Sequence, residues 1–186
     1  MSTVQPIRDK EVIIGIKEYL RIRSMRNYLM FCFGIYSGLR ISDLLQLKVW
    51  MVRNTTHINT KETKNKNRKK FIIHPSIRKD LDNFIKDKHD DEYLFASRQM
   101  KNKTKIKGQP ITRQAAYKVL KEVANYFELE EIGTHTLRKT WGYLLYEQNP
   151  NNITLLMEIY GHKDPANTLS YIGFTQDMMD DAILKL

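Results

Sequence analysis

The chain has 186 residues, 41% of them hydrophobic, and its 31 Lys and Arg against 21 Asp and Glu leave a formal charge of +10. That length suits one domain with a real core, and the charge points to a polyanionic partner, nucleic acid before an acidic membrane surface. No apolar run reaches the roughly 20 residues that span a bilayer, the start of the chain carries no apolar signal core, and the single cysteine, Cys32, excludes an intramolecular disulfide and suits a reducing, cytoplasmic setting.

Residues 8–21 place Val12, Ile13, Ile16, Tyr19 and Leu20 at helical spacing behind Asp9, a capping residue. Residues 26–37 are almost wholly apolar and read as the central core helix, broken at Gly38. A short helix follows from Ile41 to Leu47. Residues 49–60 and 71–73 are rich in Val, Thr, Ile and Phe and predict a small antiparallel sheet, with the basic stretch 61–70 as its hairpin tip. Helix returns over 76–88, and Tyr93–Phe95 is a short extended piece. Residues 97–109 form a basic loop without apolar periodicity. Thr112 caps a helix to about Phe127, with Ala116, Val119, Leu120 and Val123 facing inward. Three helices follow, over 134–146, 153–160 and 165–172, and the tail 176–186 has the pattern of an amphipathic helix.

The stretch from Gly133 to Tyr171 concentrates the chemistry. Thr134 is predicted as an N-cap, which places His135 in a first helical turn, where unpaired N–H groups favour an anion. His135 and Arg138 stand three residues apart and share a helix face. His162 follows a glycine in a turn, and Asp164-Pro165 opens the helix that carries Tyr171. Singly, each has a bland reading: a capping histidine, a salt-bridged arginine, a tyrosine at the rim of the core. Trp50 and Trp141 read as core, with Trp141 packed behind Arg138. His57, His74 and His89 lack metal-ligand spacing, so no metal or other cofactor is expected.

Together with Ser37-Gly-Leu-Arg40-Ile-Ser-Asp43-Leu-Leu-Gln-Leu47, the segments His135-Thr-Leu-Arg138 and Tyr160-Gly-His162, and a tyrosine nine residues after that histidine, resemble the catalytic signature of the tyrosine recombinase (phage integrase) family. The resemblance runs from about Pro6 to the tail. It implies a mainly α (α+β) fold, a helical catalytic domain with a small antiparallel sheet, three-stranded in the family. It also implies one catalytic domain over residues 1–186, without the family's N-terminal core-binding domain. The expected function is site-specific DNA recombination or integration, independent of metal and ATP. Two alternatives stand beside it: a DNA-binding regulator or accessory factor that kept the fold, and a type IB topoisomerase-like relaxing enzyme.

The roles follow from the chemistry of a phosphodiester. Its transition state gathers negative charge, which fixed cations stabilise. Arg40 and Arg138 suit this through planar bidentate donation. His135 and His162 are further donors, and either is a potential base for Tyr171, the nucleophile. By resemblance, the link formed is a 3′-phosphotyrosine, Asp43 orients the cations, and a hairpin lysine protonates the leaving 5′ oxygen. Lys64 matches that lysine best, with Lys61 and Lys66 as rivals. Phosphate tracking is expected from Lys61, Lys66, Arg68, Lys69 and Lys70 of the hairpin and from Lys101, Lys103 and Lys105 of the loop. The expected partners are double-stranded DNA, further copies in a tetramer on that DNA, and a separate DNA-binding or accessory protein, with no membrane.

Overall fold

Asp9 opens the fold by accepting hydrogen bonds from the backbone N–H groups of Glu11 and Val12, which caps α1 (Lys10–Arg23). Ser24 ends α1 and caps α2 (Met25–Ser37) in turn, and Gly38 closes α2 in the left-handed region at φ 61°. The computed structural model describes residues 4–61, 68–97 and 108–174, with Met178, Ile183 and Leu184 beyond them. The remaining elements are α3 (Ile41–Leu44), β1 (His57–Lys61), β2 (Arg68–Ile72), α4 (Arg78–Ile85), α5 (Arg113–Tyr126), α6 (Thr136–Gln148), α7 (Ile153–Tyr160) and α8 (Pro165–Tyr171). The expected mainly helical fold with a small antiparallel sheet is what the chain adopts. Among the described residues no helix is long and apolar enough to cross a membrane.

The predicted core helix is the core. Leu29, Met30, Phe31, Cys32, Phe33 and Ile35 of α2 are all buried, and α2 packs against α1, α3, α4 and α6. One polar junction ties three of these helices. Arg21 of α1 donates to Asp80 of α4 at 2.6 Å, and the hydroxyl of Tyr28 of α2 donates to the other carboxylate oxygen at 3.1 Å. Cys32 lies in this region, and burial pushes its thiol up to about 12. A second apolar cluster of Trp141, Tyr143, Leu156, Tyr160 and Ile172 joins α6, α7 and the end of α8.

Several expectations need correction. Residues 49–51 are a 3-10 turn rather than strand, because the N–H groups of Val49 and Trp50 are taken by the carbonyls of Glu92 and Asp90. That turn buries Val49 and leaves Trp50 55% exposed, so Trp50 is not core. The sheet has two strands among the described residues, β1 against β2 with His57 opposite Ile72 and Lys61 opposite Arg68. Tyr93, in the expected extended piece, forms an isolated bridge with Lys48 outside that sheet. The helix expected from Thr134 starts at Thr136, whose hydroxyl accepts from Gly133 N–H at 3.0 Å, and His135 occupies the cap position without a side-chain cap bond. Lys64 and Lys66, the loop lysines Lys101, Lys103 and Lys105, and most of the tail lie outside the described residues.

The contact that positions α6 on the core is Gly34 against Leu137, where an added Cβ would sit 2.8 Å from the leucine Cβ. Helix propensity favours alanine over glycine by about 1 kcal/mol, whereas overpacking costs about 1–3 kcal/mol. Gly34→Ala is therefore expected to lower the midpoint of urea or thermal unfolding, and an unchanged or raised midpoint would show that the close approach does not constrain α6.

Candidate active site

Arg138 lies on the buried side of α6 and is only 3% exposed. A guanidinium cannot shed its proton in a protein, so burial demands acceptors. It donates through Nη1 to the carbonyl of Gly38 and through Nη2 to that of Ile159 at 3.1 Å. Its guanidinium also lies 4.8 Å from the centroid of the Tyr160 ring. The tyrosine's hydroxyl donates back to the Arg138 carbonyl at 3.0 Å. The left-handed Gly38 is required here, since a Cβ would collide with the Trp141 ring. Ser37 shapes the same turn, its hydroxyl donating to the Phe33 carbonyl at 2.6 Å and accepting from Leu39 N–H.

That turn delivers Arg40, which stands at the cap position of α3 with its carbonyl accepting from Asp43 N–H at 2.9 Å. Asp43 itself is 3% exposed. Arg40 lies near enough to His135 and Tyr171 for its charge to act on both. His162 follows the left-handed Gly161 that ends α7, and its Nδ1 is bonded to the buried Thr168 hydroxyl at 3.0 Å, which orients the ring. Asp164 caps α8 through Ala166 N–H, with Pro165 in the first turn, as predicted. Tyr171 ends that helix. Its ring meets His162 edge-on at 5.5 Å and Tyr160 at 4.8 Å. Its hydroxyl is 3.4 Å from His135 Nδ1. The five predicted residues Arg40, His135, Arg138, His162 and Tyr171 thus converge, although they span 132 positions, from 40 to 171.

Electrostatics define the resting state of this cluster. Burial raises the Tyr171 pKa above its ordinary value of 10.0, and Arg138, Arg40 and a hydrogen bond from Arg138 pull it back only in part. Burial lowers both histidines below 6.5, and the charge of Arg138 adds to this in each; Arg113, Lys139 and Arg40 add to it for His135. At neutral pH the site therefore holds two fixed guanidinium cations, two neutral imidazoles and a neutral phenol.

Three contributors were missed by the sequence reading. Tyr160 packs under both Arg138 and Tyr171, Thr168 orients His162, and Lys139, 5% exposed, sets its ammonium 5.1 Å from the Tyr171 ring centroid. Burial is the main cause of a lowered Lys139 pKa. Thr168 had a sequence signal, standing three residues before Tyr171 on one face of α8. Arg113 at the start of α5 lines an open depression beside the site with Gln114, Tyr117 and Thr134. Of the predicted phosphate-tracking residues, Lys70 is exposed on β2 opposite Asn59. Lys61, Arg68 and Lys69 have described backbone at the strand ends.

The phage integrase family model matches residues 9–177. The chain belongs to this family. The probable integrase/recombinase YoeC of Bacillus subtilis (strain 168) is 43% identical over 177 residues, covering 95% of this chain and 93% of that one. The tyrosine recombinase XerD of Oceanobacillus iheyensis is 27% identical over 167 residues, 85% of this chain and 53% of that one. Among solved structures, the XerH site-specific recombinase in a post-cleavage complex with its palindromic difH substrate superposes with a TM-score of 0.74 at 21% identity, over 98% of this chain and 52% of that one. The chain thus spans about half the length of these Xer proteins.

The lowered histidines make a stability prediction. His135, His162 and His74 all have folded-state pKa values below 6.5, so below that pH the unfolded chain binds more protons than the folded one. The stability that these neutral imidazoles represent is complete above 6.5 and is lost as pH falls through their folded values. Thermal melts are expected to drop between about pH 7.5 and about pH 5.5, and replacing His135 and His162 together with Asn should flatten that dependence.

Proposed function

We propose that this chain is a DNA strand transferase that cuts and rejoins phosphodiesters through a covalent link to Tyr171. The observation that carries this reading is the convergence of Tyr171, two arginines and two histidines in a family whose relatives are named integrases and recombinases. The Tyr171 oxygen attacks the phosphorus and its proton passes to a base. His135, whose Nδ1 lies 3.4 Å from that hydroxyl, takes it as the base in this reading. The P–O5′ bond breaks, a 3′-phosphotyrosyl link forms, and the departing 5′ oxygen takes a proton from the hairpin lysine, with Lys64 first in line. Arg40 and Arg138 hold the nonbridging oxygens. His162 donates to the same phosphate through Nε2, and Asp43 holds the Arg40 turn.

The energy of the broken bond is kept in the new ester, so no ATP is needed. Guanidinium cations supply the charge that a metal would otherwise provide. The partner is double-stranded DNA, with Lys61, Lys66, Arg68, Lys69, Lys70, Lys101, Lys103 and Lys105 tracking its backbone. Solved relatives bound to DNA, with lambda integrase dimers on a core site among them, favour assembly of several copies on DNA, a tetramer for exchange between two duplexes. An accessory DNA-binding protein and a cytoplasmic setting complete the proposal.

A nicked suicide duplex tests the nucleophile. Wild type should yield an adduct that survives denaturation, unchanged by a metal chelator, and Tyr171→Phe should yield none; an adduct retained in Tyr171→Phe would remove Tyr171 from the role. Arg138→Ala should slow adduct formation by roughly 10²–10³-fold. For Lys64→Ala, a 5′-bridging phosphorothiolate supplies a leaving group that needs no proton. Recovery of the wild-type rate on that substrate supports Lys64 as the acid, and no recovery assigns the acid elsewhere.

A further inference from the structure

Tyr171 sits at the end of a seven-residue helix, and a helix that short does not hold itself in water. Its position must come from what it packs against. Residues 4–8, which lead into α1, touch the loop before His135, the helix that carries Arg138 and the end of α8. Gln5 N–H donates to the Glu131 carbonyl at 3.0 Å, in the loop that leads to His135, and Val4 lies against Gly133 of the same loop. Ile7 N–H donates to the buried Thr140 hydroxyl at 2.9 Å, on α6 two residues after Arg138. Arg8 Nη2 donates to the Gly173 carbonyl at 2.8 Å, two residues after Tyr171, and Pro6 covers the same glycine so closely that a Cβ there would sit 2.8 Å from its Cδ.

Arg8 is itself held in place. Its Nη2 also meets Gln5 Oε1 at 3.1 Å, and its guanidinium lies 5.8 Å from the Tyr143 ring centroid on α6. Gly173, at φ 76°, is the left-handed residue that terminates α8. A cation on its carbonyl lies just past the helix, beside the negative end of the helix dipole. We infer that residues 4–8 form a strap that sets the nucleophile in register with His135 and Arg138, with Arg8 as the positioning residue that fastens the end of α8. Arg8 acts through the backbone after Tyr171 and not on the phosphate. This inference rests on the reading of Tyr171 as nucleophile given above.

The test is single-turnover adduct formation on the nicked suicide duplex, paired with DNA affinity measured by fluorescence anisotropy at one salt concentration. A misplacement of about 1 Å can cost about a hundredfold in rate, so Arg8→Ala is expected to slow adduct formation by roughly 10- to 100-fold while Kd stays within about twofold. Arg8→Lys, which can still donate to the Gly173 carbonyl, should recover part of the rate. Arg23→Ala, on a cation stacked over Tyr19 far along α1, should leave the rate unchanged. If Arg8→Ala does not fold, Thr140→Val decides: it cuts the strap's bond to α6 and should also slow the adduct without weakening DNA binding. A wild-type rate in the folded strap variants, affinity lost in step with rate, or no recovery in Arg8→Lys would overturn the strap. Absence of an adduct in wild type would instead overturn the reading of Tyr171 beneath it.

Discussion

The active site depends on how one buried cation is satisfied. The guanidinium of Arg138 finds acceptors at two helix ends, the Gly38 carbonyl that closes α2 and the Ile159 carbonyl in the last turn of α7. Carbonyls there have no partner within their own helix and carry the negative end of its dipole. The arginine therefore serves one carbonyl at each of two helix ends while they make its burial tolerable. Each terminus is followed at once by a catalytic candidate, Arg40 after α2 and His162 after α7. A single side chain thereby fixes the spacing of two others that are distant in sequence.

This arrangement explains why small residues crowd the neighbourhood. Gly38 yields to Trp141 and Gly34 yields to Leu137, so α2 and α6 approach closely enough for Arg138 to reach across. Gly142 leaves room for the hydroxyl of Tyr160, which locks the carbonyl of the same arginine. Packing and electrostatics are not separable here. A methyl group added at any of these glycines would displace the charge as well as the core.

The helical fold and the five converging residues were legible in the sequence because each carries a local signature: caps at Asp9, Thr112 and Asp164, left-handed turns at Gly38 and Gly161, and side chains whose chemistry suits one anion. What the sequence reading missed depends on tertiary partners. Residues 49–51 have the composition of a strand but turn, since Glu92 and Asp90 carbonyls capture their N–H groups. Trp50 is apolar yet exposed because Val49 takes the buried place in that turn. Thr134 has the composition of a cap, but Thr136 answers Gly133 instead and moves the helix start. Lys139 and Tyr160 were passed over because a lysine in a helix reads as surface and a tyrosine as core rim, and only the approach of α8 brings both against Tyr171.

Burial holds the Tyr171 hydroxyl as a neutral phenol, against the pull of Arg138 and Arg40. In the reaction proposed above, such a phenol is a poor nucleophile until its proton leaves. The site at rest therefore carries no standing phenolate, and reactivity is tied to the moment at which a base takes the proton.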